Sequence, residues 1–168
     1  MKNKEKSKIK SKFKYRYMEI AHIWAKNSYS KRKKVGAIIV KDGQIISDGY
    51  NGTPSGFENE CESIEPCDVT KENCTSLFGV QNCDLCPYHK VTTKPYVLHA
   101  EANAILKVAC SNNSTEGSTL FCTMSPCLEC AKLIIQAKIA EVYYDELYRD
   151  DSGIKLLERA GIICKQLL

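Results

Sequence analysis

The residues best equipped for chemistry lie in two short stretches, "HAE" (His99, Ala100, Glu101) and "PCLEC" (Pro126 to Cys130). Each opens a segment of strong helix formers, "HAEANAILKVA" and "PCLECAKLIIQA", so both are expected at helix starts. Pro126 suits a first turn, where its missing N–H costs nothing, and Cys127 then sits among free backbone N–H groups and the positive end of the helix dipole, which lower a thiol pKa. Cys130 follows three residues on, along the same face. Two thiolates and a neutral imidazole from His99 make a zinc site with three protein ligands, and the fourth position is left for water, which marks a catalytic and not a closed structural zinc. Glu101, two residues beyond His99, is placed to take a proton from water that zinc has brought to a pKa of about 7. Positioned acid/base work of this kind contributes roughly 10² to 10⁴ in rate.

A second group of potential ligands lies in "NCDLCPYHK", where Cys83 and Cys86 form a C-x-x-C pair with His89 three residues further on. The chain holds ten cysteines, and in a reducing compartment this spacing points to metal before disulfide. Cys83 and Cys86 cannot join the first cluster without displacing its water. With two of Cys61, Cys67, Cys74 and His89 they could hold a closed, structural zinc, which would order a polar insertion running from about Cys61 to Pro95. Free or redox-active thiols are the alternative. Cys110, Cys122 and Cys164 stand singly in apolar surroundings and are expected as buried small hydrophobes.

The elements that must position these groups can be read from periodicity. "YRYMEIAHIWAKNSY" places Met18, Ala21, His22 and Ala25 at helical spacing, with His22 expected as a packed or capping histidine. "VGAIIVKDGQIISDGY" gives two β-branched runs joined by Asp42-Gly43, a hairpin signal, and a Gly- and Pro-rich loop "NGTPSG" follows. "STLFCT", "PCLECAKLIIQA" and "EVYYD" read as a strand-helix-strand unit, "GIKLLERAG" as a last helix and "IICKQL" as a last strand. The alternation predicts an α/β fold of three layers, α/β/α, with a mixed sheet of about five strands covered by helices on both faces.

The length of 168 residues fits one domain, expected over residues 13–168. The formal charge is +4, but residues 1–12 carry six Lys and one Glu, a net +5, so the rest of the chain sums to −1. Residues 1–12 are expected as a solvated, disordered basic tail, with an electrostatic contact to a polyanion as the alternative. No apolar run approaches the roughly 20 residues that span a bilayer, and the N-terminus lacks the apolar core of a signal peptide, which predicts a cytoplasmic protein with no membrane partner.

H-x-E followed by P-C-x-x-C is the pattern of zinc-dependent nucleobase deaminases. On that pattern, together with "SKRKKVGAIIVKDGQIISDGYNGTPSGF", "VLHAEANAIL", "TMSPCLECAKLI" and "YYDELYRDDSGIKLLERAGI", the chain resembles the cytidine-deaminase-like superfamily, and within it the deoxycytidylate (dCMP) deaminase family. The likeness runs from about Tyr15 to Ile163 and breaks in the cysteine-rich insertion. It implies that His99, Cys127 and Cys130 bind zinc, that Glu101 shuttles protons, and that dCMP is hydrolysed to dUMP and ammonia, supplying dUMP for thymidylate synthesis. Arg32 and Arg149 are candidates for the substrate phosphate, which favours Arg forks and backbone N–H nests. Tyr148 could stack on base or sugar. Asn51 resembles the family's sugar-contacting Asn, against a reading as a turn residue, and Ala100 and Ser125 complete the expected substrate set. Gly49, Tyr50 and Gly52 could belong to a loop for substrate or for a nucleoside triphosphate effector, dCTP or dTTP with Mg²⁺. The resemblance further implies a homo-oligomer, often a hexamer. Competing readings are a deaminase of the same fold acting on tRNA adenosine, cytosine or guanine, or a zinc-held nucleic-acid-binding module. The −1 charge of the body argues against a nucleic-acid substrate or partner.

Overall fold

The computed structural model of the chain describes residues 9–65 and 90–167. Most of the basic tail, and the candidate ligands Cys67, Cys74, Cys83, Cys86 and His89, lie outside the described residues. The elements follow in the order α1 (Ser11–Ala25), β1 (Gly36–Lys41), β2 (Gln44–Tyr50), β3 (Glu62–Glu65), β4 (Lys90–Thr93), α2 (Ala100–Ala109), β5 (Thr119–Met124), α3 (Leu128–Gln136), β6 (Glu141–Glu146), α4 (Ser152–Arg159) and β7 (Ile163–Gln166).

Five strands form one mixed sheet in the order β2-β1-β5-β6-β7. β1 runs antiparallel to both β2 and β5, and β6 is parallel to both β5 and β7. The β1–β2 turn needs two left-handed residues, and Asp42 (φ 50°) and Gly43 (φ 79°) supply them. Successive side chains of the inner strands alternate between two apolar layers. Ala37, Ile39, Leu120, Cys122, Val142 and Tyr144 face α2, α3 and α4, packing on Ala104, Val108, Ala131, Ile134 and Leu157. Ile38, Val40, Phe121 and Tyr143 face α1 through Met18 and Ala21. Because β1 and β5 are covered on both faces, they read as unbroken apolar runs, "GAIIV" and "LFC", without alternation. The three-layer architecture with five strands is as the sequence predicts.

Four local features differ from expectation. Helix α1 begins at Ser11, inside the segment expected as tail, because the lysines there are good helix formers ahead of a buried face at Met18, Ala21 and Ala25. It ends at Ala25, where the turn-forming Asn27 and Ser28 follow and Ser28 Oγ donates to the Asn51 carbonyl at 2.7 Å. His22 neither packs in the core nor caps a helix: its Nε2 lies 2.8 Å from Asp145 Oδ2, a half-exposed pair between α1 and β6. Cys110 is exposed, since it caps the C-terminus of α2 beyond the buried Val108, while Cys122 is buried and Cys164 partly so. Finally, the ends of the insertion pair as a short antiparallel ladder from Glu62↔Thr93 to Glu65↔Lys90, in segments ("ESIE", "KVTT") too short and polar to announce themselves as strands.

Candidate active site

Two helix starts meet at one point. His99 is the N-cap of α2 and Cys127 the N-cap of α3, with Cys130 in the first turn of α3. Pro126, expected inside the first turn, instead precedes the cap, so Cys127 takes the capping position itself. His99 Nδ1 lies 3.4 Å from Sγ of Cys127 and 3.4 Å from Sγ of Cys130. Ligands 2.0 to 2.3 Å from a shared tetrahedral ion are roughly 3.5 Å apart, so the donor set fits zinc in both chemistry and spacing. Among the described residues this is the one group of three or more potential ligands whose donor atoms all lie within 4.8 Å of each other.

The electrostatics follow from the close approach. A hydrogen bond with Cys130 holds the Cys127 thiol well below its ordinary value, with His99 and the Cys130 amide adding to the effect. The same bond, together with burial, pushes Cys130 the other way, and the bond to Cys127 raises the pKa of His99. Glu101, in the first turn of α2, is 3% exposed. Burial pushes its pKa up to about 7, against the opposing pull of the His99 charge.

The backbone that carries these groups is braced by close contacts. Gly153 of α4 lies so near the Pro126–Cys127 peptide that a Cβ there would be 2.0 Å from the Pro126 carbonyl oxygen. Gly49 does the same for α2, where a Cβ would sit 2.2 Å from the Ala100 carbonyl oxygen. The Tyr50 carbonyl accepts from Asn103 Nδ2 at 2.8 Å, and Gly52 pairs with Leu98, the residue before His99, through hydrogen bonds of 3.1 and 2.9 Å. Gly49 and Tyr50 therefore belong to β2 and not to a loop, and none of the three lines the cleft beside Glu101. They hold the start of α2.

That cleft, of about 370 Å³, is lined by His99, Glu101 and Cys127 and by all six residues expected around the substrate: Arg32, Asn51, Ala100, Ser125, Tyr148 and Arg149. Asn51 Nδ2 donates to the Lys33 carbonyl at 2.9 Å and Oδ1 accepts from the Val35 amide at 2.8 Å, which fixes the loop before β1. One amide hydrogen and one lone pair remain for a ligand. Buried Ser125 accepts the Tyr148 amide at 2.8 Å and so sets the turn that carries Arg149, whose guanidinium lies 5.2 Å from the centre of the Tyr148 ring. Val35, Val97 and Met124 add apolar wall, beside Ser30, Lys33 and Thr93. The three apolar residues come from three separate segments, and no spacing in the sequence links them.

A layered α/β/α sheet with a His/Cys/Cys zinc centre at two helix starts defines the cytidine-deaminase-like class. The model of the family "Cytidine and deoxycytidylate deaminase zinc-binding region" matches residues 11–146, and the chain belongs to this family. It is 35% identical to the deoxycytidylate deaminase of Enterobacteria phage T4 over 86% of this chain and 84% of that one. It is 37% identical to the human deoxycytidylate deaminase over 90% of this chain and 78% of the relative. The crystal structure of dCMP deaminase from the cyanophage S-TIM5, in complex with dCMP and dUMP, superposes with a TM-score of 0.75 at 40% identity, covering 95% of this chain and 99% of that one.

Proposed function

We propose that the chain catalyses the zinc-dependent hydrolytic deamination of dCMP to dUMP and ammonia. The observation that carries this reading is a buried carboxylate, Glu101, beside the His/Cys/Cys cluster in a cleft that also holds two arginines. The cyanophage relative, solved with dCMP and dUMP, supports the same substrate.

His99, Cys127 and Cys130 would hold the zinc, which when bound supplies Lewis acidity to the attacking water. Glu101 takes one proton of that water and passes it to the ring nitrogen next to the amine; it then takes the second proton from the oxygen now bonded to the ring carbon and delivers it to the amine, which leaves as ammonia. The place of Glu101 in the cleft, two residues from His99 and shut off from bulk water, suits a group that must both accept and return a proton. Asn51 contacts the sugar with its remaining donor and acceptor, Tyr148 covers the base or sugar, and Arg32 and Arg149 receive the phosphate. Incubation of the zinc-loaded protein with dCMP should release ammonia with the ultraviolet change to dUMP. Turnover of cytosine, guanine or a tRNA adenosine, but not dCMP, would overturn this reading.

Further parts of the proposal rest on the family likeness: a place in supplying dUMP for thymidylate synthesis, assembly as a homo-oligomer such as a hexamer, and control by dCTP and dTTP with Mg²⁺; a cytoplasmic setting rests on the sequence alone. No helix among the described residues is long and apolar enough to cross a membrane. A second, structural zinc would be held by Cys83 and Cys86 with two of Cys61, Cys67, Cys74 and His89. Of these, Cys61 alone is among the described residues; it is buried, and burial raises its thiol pKa.

A further inference from the structure

We propose that Glu62 and Thr93, cross-strand partners at the base of the insertion, are positioning residues that hold Arg32 ready for the substrate phosphate. The inference rests on the reading of the cleft as a nucleoside monophosphate site.

Arg32 lies in "KRKK", four consecutive cations on an exposed connection between α1 and β1. Like charges in such a run repel and extend the chain, so the run does not by itself fix where one guanidinium points. Lys33, the other cation of the run that lines the cleft, is 2.5 Å from Glu146 Oε2. Arg32 is held from outside its own segment. Glu62 Oε1 accepts from Ser30 Oγ at 2.6 Å and from the backbone amides of Lys31 at 3.1 Å and Arg32 at 3.3 Å. Thr93 Oγ1 accepts from Arg32 Nη1 at 3.0 Å. Glu62 and Thr93 stand opposite each other in the β3–β4 ladder. Side chains of such a pair share a face and lie about 5 Å apart at Cβ. One rung of the ladder therefore grips Arg32 at both ends, backbone and guanidinium.

Holding the side chain in advance lowers the ordering cost that binding would otherwise carry. The effect belongs to the phosphate alone, because the nucleoside part of the substrate meets other walls of the cleft. Glu62 and Thr93 should thus set the preference for nucleotide over nucleoside while leaving the chemistry at Glu101 unchanged.

The test is steady-state kinetics of the zinc-loaded, full-length protein on dCMP and on deoxycytidine. Glu62→Ala should raise KM for dCMP by about tenfold, with kcat for dCMP and kcat/KM for deoxycytidine within about twofold of wild type. Glu62→Gln keeps an acceptor oxygen and should recover most of the loss, and Thr93→Val should raise KM for dCMP by a smaller factor. In a double-mutant cycle, Glu62→Ala placed on Arg32→Ala should add no further loss, since the one residue acts through the other. If Glu62→Ala does not fold, Glu62→Gln and Thr93→Val carry the comparison. Equal losses on both substrates, or full additivity in the cycle, would overturn the inference. Failure of the underlying reading looks different: wild-type protein would then show no preference for dCMP over deoxycytidine, or Arg32→Ala would leave KM for dCMP unchanged.

Discussion

Glu101 is buried where a carboxylate is costly to ionise, and its neighbours in the cleft are the groups that make the ionised form useful. Replacing it by Gln keeps the shape and a hydrogen-bonding oxygen but removes the proton acceptor. Glu101→Gln should retain its catalytic zinc by metal analysis and lose at least about 10² to 10⁴ in kcat for dCMP. Near wild-type turnover by this variant would falsify the proposed proton transfer. Arg149, also on the cleft wall, is an exposed cation with its guanidinium by Tyr148. Charge-assisted contacts to a phosphate contribute roughly 1.5 to 3 kcal/mol each, so Arg149→Ala should narrow the preference for dCMP over deoxycytidine by about 10- to 150-fold. A ratio of kcat/KM values unchanged by the substitution would remove Arg149 from the phosphate site. The zinc ligands and Glu101 were legible in the sequence because each motif is local: three or four residues on one helix start define it. The braces were not legible. Nothing near Gly49 in the chain reveals that its missing Cβ makes room for the Ala100 carbonyl, 51 residues away, and the Asn51 amide reaches loop backbone that only the fold brings near.

Helices α2 and α3 owe their placement to glycines that let backbone touch backbone. A methyl group at position 153 would fall 2.0 Å from the Pro126 carbonyl oxygen and 2.8 Å from the Cys127 carbonyl carbon, neither of which can move without shifting a metal ligand. Gly153→Ala should therefore lower stability by about 1 to 3 kcal/mol and, unlike an ordinary core defect, weaken zinc retention as well. Thermal unfolding with and without a chelator measures both; a variant with wild-type melting temperature and metal content would show that α4 can give way. Phe121→Ala is the useful contrast. It removes a fully buried ring under α1, on the face away from the cluster, and should cost about 3 to 5 kcal/mol while the metal stays bound in the folded fraction. The strong periodic segments, namely the Asp42-Gly43 hairpin, β5, α3 and β6, were readable because their own residues dictate them. The ladder of β3 and β4 was hidden for the opposite reason, since "ESIE" and "KVTT" become strands only by finding each other across the insertion.

Across the chain as a whole, a second zinc held by the insertion would set the metal stoichiometry. Freshly purified protein should contain about two zinc ions per chain, and Cys83→Ser should lose one of them together with thermal stability, while the protein that remains folded still deaminates dCMP. A single zinc, retained in Cys83→Ser, would separate the first C-x-x-C pair from metal altogether. The contact between Gly153 and the Pro126–Cys127 peptide also bears on how the enzyme comes into being. Translation delivers the last candidate zinc ligand at Cys130, yet the Pro126–Cys127 peptide packs against Gly153 of α4, and α4 is followed by β7, which closes the edge of the sheet on β6. A nascent chain that has passed Cys130 but not yet released α4 and β7 thus holds every reactive side chain of the centre and no finished site. Zinc retention is therefore expected only in chains that extend through α4 and β7, and a chain truncated between β6 and α4 should retain little metal by analysis.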